Sequence, residues 1–274
     1  DNGNPGKVFD SIEMNERGHG ISIGGTDVHI DNICIKNVGS HGISSGTTKN
    51  LTVTNCEFGW IGGTIQTYSL YGSTGGNATR FGNGVEVYGG CDGYIVDNCY
   101  ITQVYDAGVT HQVSDSSEGD YIMKNVTYSN NLVEDCVYSI EYFLGRPRVE
   151  EAKHMMENIL MCNNILRSAG EGWGYQRPDK TTPAQIKSWG HHNPATNFII
   201  RDNIIDCCTE YLLNIDASDK SWLPRLERNV YIQRKGGLGI ATGYNTQGFN
   251  FDKSFKQQLE ELYHETEATI YEIE

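Results

Sequence analysis

A short pattern that keeps returning constrains this chain more than any other feature. It reads small residue, aliphatic residue, outward residue. Its members are Gly20-Ile21-Ser22, Gly42-Ile43-Ser44, Gly84-Val85-Glu86, Gly108-Val109-Thr110, Ser139-Ile140-Glu141, Gly172-Trp173-Gly174, Tyr211-Leu212-Leu213 and Gly239-Ile240-Ala241. A second segment follows each and closes on a short turn at Asn32, Asn55, Asn98, Asn130, Asn163, Asp202 and Asn229. A third begins just beyond the turn, at Cys34, Glu57, Tyr100, Leu132, Ile165, Ile204 and Tyr231.

Three strands per repeat, one aliphatic row inward and an Asn corner describe a solenoid. Alternate residues of a strand face opposite sides, so the aliphatic position points inward in every repeat. Asn tolerates the left-handed backbone that a two-residue corner requires. Stacked Asn side chains can bond one another from coil to coil. The pattern predicts an all-β protein, a parallel β-helix of about eight coils over 1–250, with 251–274 a C-terminal helical cap and tail of the same domain. In that tail Phe255, Leu259 and Leu262 share one helical face. A cap there would cover an open sheet edge.

Spacing locates the insertions. Ile21 and Ile43 are 22 residues apart, and Val85 and Val109 are 24, close to a bare coil. Other steps are longer, and the excess falls at 59–82, 113–124, 144–157 and 176–196. Each of these enters or leaves the first strand and none interrupts the Asn turn. Loops raised on one side of a solenoid wall a cleft.

Composition narrows the partners. A hydrophobic content of 38% suits a thin solenoid core. The net charge of −14 argues against nucleic acid, whose phosphates call for a basic surface, and disfavours a highly anionic polysaccharide. No apolar run of membrane-spanning length is present. The eight cysteines read as buried fillers rather than disulfides, because Cys56 and Cys99 hold one slot of successive repeats. No CxxC pair points to zinc. No signal peptide is visible, and the opening at Asp1 reads as a mature fragment; with no cap evident over 1–17, either the N-terminal loop covers the first coil or further N-terminal coils or another domain are expected there.

With these repeats, residues 18–242 resemble the pectin-lyase-like superfamily of right-handed parallel β-helix proteins. That resemblance implies a carbohydrate ligand on the first-strand face. The expected location is extracellular or cell-surface, of bacterial type. Gly18-His19-Gly20-Ile21-Ser22-Ile23-Gly24 is similar to the histidine motif of polygalacturonases. The paired-aspartate and Arg-Ile-Lys motifs of that family are missing, so His19 and His41 are read as repeat corners and its catalytic set is not carried over.

The outward row then reads Ser22, Ser44, Glu86, Thr110, Glu141, Gly174, Leu213, Ala241. Glu86 and Glu141 stand two coils apart, about 9.6 Å between backbones at ~4.8 Å per coil. Asp106, three residues before Val109, is expected on the same face. Clustered carboxylates shift one another's pKa, which prepares one as a general acid. Glu86, Asp106 and Glu141 are the predicted catalytic residues. Predicted substrate contacts are Tyr88, His111, Gln112, Arg146, Tyr175, Arg177 and Trp189. His111 is inward by parity but near its strand's end. Trp173 and Tyr142 are expected in the core. No metal ligand set is assigned and no cofactor is expected; Ca²⁺ on the acidic cluster is the alternative, as hard oxygen donors suit it.

The leading functional expectation is a glycoside hydrolase acting on a polysaccharide or oligosaccharide. A polysaccharide lyase or epimerase is the alternative, weakened by the lack of a basic residue in the expected row. A non-catalytic glycan-binding or structural module is the third.

Overall fold

The computed structural model describes residues 18–63, 65–68, 78–113, 118–176, 182–189, 192–241 and 248–274. The chain is all-β apart from one α-helix and short 3₁₀ turns among these residues. It passes through three large sheets in rotation. They hold nine, seven and eight strands, and every strand in them is parallel to its neighbours except the hairpin return at Gly248–Asn250. This is the winding expected of a parallel β-helix.

The strands of the first sheet are Ile21–Ile23, Ile43–Ser45, Val85–Tyr88, Ala107–Val113, Tyr138–Leu144, Ala184–Ser188, Tyr211–Asn214 and Leu238–Ala241. Their register stacks Ile21, Ile43, Val85, Val109, Ile140, Ile186, Leu213 and Ile240 in one column. The second sheet adds Leu51, Tyr94, Val126, Ile159 and Phe198, and the third adds Phe58, Ile101, Val133, Leu166, Ile205 and Tyr231. Apart from Ile21, these columns are buried and meet in one core.

The register corrects the sequence reading at two coils. Gly172-Trp173-Gly174 is not a first-sheet strand. Trp173 lies in a 3₁₀ turn, Trp173–Gln176, buried against Tyr105 with its indole N–H bonded to the Gln103 carbonyl at 2.7 Å. The sixth strand is Ala184–Ser188, with Ile186 inward and Lys187 outward. In the next coil Leu213, not Leu212, joins the inward column, so Asn214 faces outward.

Every turn between the second and third sheets is two residues long. Its first residue is left-handed: Asn32, Asn55, Asn98, Asn130, Asn163, Asp202 and Arg228, with φ of 52–57°. Arg228 therefore holds the corner expected at Asn229. The second residue points into the core. Cys56 and Cys99 fill that slot early, and Asn131, Asn164, Asn203 and Asn229 fill it later.

These four asparagines form a ladder. Asn131 donates its amide to Asn164 Oδ1 at 3.0 Å, Asn164 to Asn203 at 2.9 Å, and Asn203 to Asn229 at 2.9 Å. Each backbone N–H donates to the same acceptor. Each amide also donates to a carbonyl of the preceding coil. Buried polar groups must be paired, and here every member of the column is.

The ladder ends on Glu265, a fully buried carboxylate just past the helix Phe255–Tyr263. Glu265 accepts from the Asn229 backbone N–H at 2.7 Å and from the Tyr231 hydroxyl at 2.5 Å. The helix buries Phe255, Leu259 and Tyr263, spaced four apart, on the last coils, while Leu262 is only half-buried. The chain then returns as Thr269–Ile273, a further parallel strand of the third sheet beside Val230–Arg234. The tail is thus a helix followed by a strand.

Among the described coils, before the C-terminal helix, the connections longer than these corners all flank first-sheet strands. They include 62–84, 114–120, 145–153, 170–183, 189–194 and 215–224.

Candidate functional site

The outward row of the first sheet is Ser22, Ser44, Glu86, Thr110, Glu141, Lys187, Asn214, Ala241. Five consecutive rungs therefore present Glu, Thr, Glu, Lys and Asn. Extended strands in strict register hold them there, each projecting beside an inward aliphatic anchor. All five are buried, at 5% exposure for Glu86 and 4% each for Glu141 and Lys187. Such a row is costly unless its members are paired or used.

Glu86 is held by two amides. Asn83 Nδ2 and Gln112 Nε2 both donate to its Oε2 at 2.6 Å. Burial nevertheless raises its pKa above the ordinary carboxyl value, against these hydrogen bonds and the field of His19. His41 Nδ1 lies 3.6 Å from the same oxygen. This is not an ion pair. His41 Nδ1 accepts the Asn83 backbone N–H at 3.1 Å, and burial pushes the ring down to about 4. His19 stacks on His41 at 5.1 Å and accepts the His41 backbone N–H. The two rings line the entry to the first strands, and burial favours the neutral form of each.

Asp106 is buried at the corner that enters the 107–113 strand, outside the strand's outward row. It belongs to the Glu86 end of the site. Asn83 Oδ1 accepts the Ala107 N–H at 2.9 Å, and the Asp106 charge raises the pKa of His41.

Glu141 stands at the other end. The Trp189 indole N–H donates to its Oε1. Lys187 follows in register, with Nζ 4.3 Å from the centre of the Trp189 ring. Burial lowers Lys187 to about 8, opposed by the fields of Glu141 and Asp216. The basic residue whose lack weakened the lyase reading is therefore present in the row. It was hidden because Gly172-Trp173-Gly174 imitates the repeat. The signal that could have revealed it is the alternation in Ala184-Gln185-Ile186-Lys187-Ser188, 27 residues ahead of Leu213.

Two polar atoms of the row have no hydrogen-bond partner, Thr110 Oγ1 and Asn214 Oδ1. Sequence reasoning singled out neither.

The predicted substrate contacts divide. Tyr88 is exposed and aligns with Gln112, one outward step beyond Glu86 and Thr110. Gln112 is buried and engaged with Glu86. Phe143 follows in that outward row, and Trp189 stands just past the Ala184–Ser188 strand, its backbone N–H bonded to the Tyr142 carbonyl. His111 leaves the set of ligand candidates. It is wholly buried on the inner face, where its Nδ1 bonds the Tyr128 hydroxyl at 2.8 Å and its ring stacks on Tyr142. Burial drives its pKa to about 3, so it neither reaches the outer face nor carries charge there. Arg146 is exposed beyond the Tyr138–Leu144 strand. Tyr175 lies in the 3₁₀ turn Trp173–Gln176, between the third and first sheets rather than on the row. Arg177 lies outside the described residues.

The donor set does not fit Ca²⁺. That ion takes six to eight oxygens. Here one oxygen of each glutamate already accepts N–H groups, and an ammonium stands one rung from Glu141. Among the described residues, no group of three or more His, Cys, Asp or Glu is placed to hold a metal, and no helix is long and apolar enough to cross a membrane. Comparison with known proteins finds no matching family model, no matching curated protein and no matching solved structure.

Proposed function

We propose that this chain is a carbohydrate-active protein of the right-handed, pectin-lyase-like parallel β-helix type, working outside the cell, and that it hydrolyses a glycosidic bond of a polysaccharide or oligosaccharide. One observation carries the reading. Glu86 and Glu141 face the same way from rungs on either side of Thr110, in opposite electrostatic settings. Burial keeps Glu86 protonated above the usual carboxyl range, the state a general acid needs. Glu141 has an ammonium in the next rung and an indole N–H on its carboxylate, partners that suit an ionised base. Asp106 tunes the acid's end through His41 rather than standing in the row. Tyr88, Phe143 and Trp189 offer ring faces on which a sugar stacks. No resident cofactor enters the scheme.

The test is digestion of a glycan panel with product analysis, repeated with Glu86→Gln and Glu141→Gln. Each substitution should lower the rate on the cleaved glycan by roughly 10²–10⁴-fold. Wild-type rates in both variants would end the proposal. A second reading, β-elimination or epimerisation at a sugar acid, is favoured by Lys187, an amine near enough to neutrality to serve as a base. An unsaturated, ultraviolet-absorbing product that disappears in Lys187→Met would put that reading first. Glycan binding with no product after long incubation would favour the non-catalytic module.

A further inference from the structure

Thr110 is the one member of the row with no evident reason to be polar. Its side chain is fully buried, and Oγ1 has neither donor nor acceptor. A hydroxyl brings one donor and two acceptor sites, and folding gains nothing from burying them unmet. Valine has the same shape and would satisfy the fold better.

The neighbours do not rescue it. Glu86 is one rung away on one side, with Oε2 engaged by Asn83 and Gln112. Glu141 is one rung away on the other, with Oε1 engaged by Trp189. Asn214 Oδ1 is also unpaired, but its register partner in the next rung is Lys187, whose side chain is a donor. Thr110 has no donor of that kind among its row neighbours. The hydroxyl sits midway between two carboxylates about 9.6 Å apart along the backbone. That rung spacing is close to the ~6.5–9.5 Å that an inverting glycosidase leaves for a water between its acid and base.

We infer that Thr110 Oγ1 holds the water that attacks the sugar, which makes Thr110 a positioning residue for the nucleophile. The inference rests on the hydrolase reading and adds the stereochemical course to it. The water oxygen bonds to the anomeric carbon as the glycosidic C–O bond breaks. Glu86 gives its proton to the departing oxygen, and Glu141 takes the proton the water loses. One water is consumed, and the configuration at the anomeric carbon inverts. Two carboxylates and a hydroxyl supply the two to four polar contacts that an ordered water needs.

The experiment compares wild type, Thr110→Val and Thr110→Ser as full-length chains. Crystals of ligand-free wild type should show an ordered water in hydrogen-bonding distance of Thr110 Oγ1, lost in Thr110→Val. Thr110→Val should melt higher than wild type, by about 2–4 °C for a domain of this size, yet lose roughly 10²-fold in kcat with little change in KM. Thr110→Ser should recover most of that loss. The first product anomer, read by NMR, should be inverted. No water at Oγ1, a Thr110→Val variant less stable than wild type or with unchanged kcat, or a retained anomer would each overturn the inference. These failures leave the hydrolase reading standing as long as Glu86→Gln and Glu141→Gln remain inactive. If those two variants keep wild-type rates, the hydrolase reading falls, whatever Thr110 does.

Discussion

Glu265 offers the clearest test of the architecture, because its effect needs no substrate. It ends the asparagine ladder by accepting from the Asn229 backbone N–H and the Tyr231 hydroxyl, all three residues being fully buried. Glu265→Ala removes the acceptor. The Asn229 amide Nδ2 loses its contact with Glu265 at 3.2 Å but keeps its bond to the Ile200 carbonyl at 3.0 Å, so two donor atoms, the Asn229 backbone nitrogen and the Tyr231 hydroxyl, are left with no acceptor. At ~1–3 kcal/mol each, the cost is on the order of 2–6 kcal/mol, reduced where water enters the space left behind. Glu265→Gln keeps an acceptor oxygen and removes the charge. Burial raises the Glu265 pKa, so the fold favours the neutral carboxyl. The stability this group contributes is fully present below its unfolded pKa and lost as pH rises through the folded value. A neutral amide should therefore equal wild type at acid pH and lie within ~1 kcal/mol of it, or above, at neutral pH. Urea unfolding midpoints at matched m-values measure both variants. If Glu265→Ala falls within ~1 kcal/mol of wild type, the ladder's end is not a structural lock. If Glu265→Gln is as damaging as Glu265→Ala, the charge matters and the argument from acceptor number is wrong.

Two further predictions follow the buried groups. Because burial raises Glu86, the alkaline limb of kcat/KM should lie above the ordinary carboxyl value, with activity lost as pH rises through it. Glu86→Gln should stabilise the fold at neutral pH but not near pH 4, where the wild-type carboxyl is already protonated; a limb at or below ordinary carboxyl values would contradict the assigned acid. Of the eight thiols, Cys34 alone is exposed, while burial drives Cys91, Cys99 and Cys208 up to about 12. One fast thiol equivalent is expected with an aromatic disulfide reagent on the native chain, abolished by Cys34→Ser; several fast equivalents would refute the burial pattern.

The winding was legible because its corners need particular residues. A left-handed turn of two residues selects Asn, and seven turns at one position in the repeat fixed the phase of the second and third strands. The first strand carries no such obligatory residue. Its mark is only a small residue before an aliphatic one, which Gly172-Trp173-Gly174 satisfies by accident while serving as a 3₁₀ turn. That slip hid Lys187 and Asn214. The inner ladder went unremarked because its asparagines follow the corner residues directly, as in Asn130-Asn131 and Asn163-Asn164, and read as part of the turn. Glu86 and Glu141 were visible by parity. Thr110 was visible too, but a missing hydrogen bond is a property of coordinates, not of letters.

The two-residue corners give the molecule a fixed gauge. Because no corner lengthens, each added repeat must advance the stack by the same step, whatever decorates the opposite edge. Copying the segment 126–158 in tandem should therefore extend the groove by one step of about 4.8 Å while preserving the phase of everything beyond it. Length in this architecture is a dial that can be turned separately from chemistry.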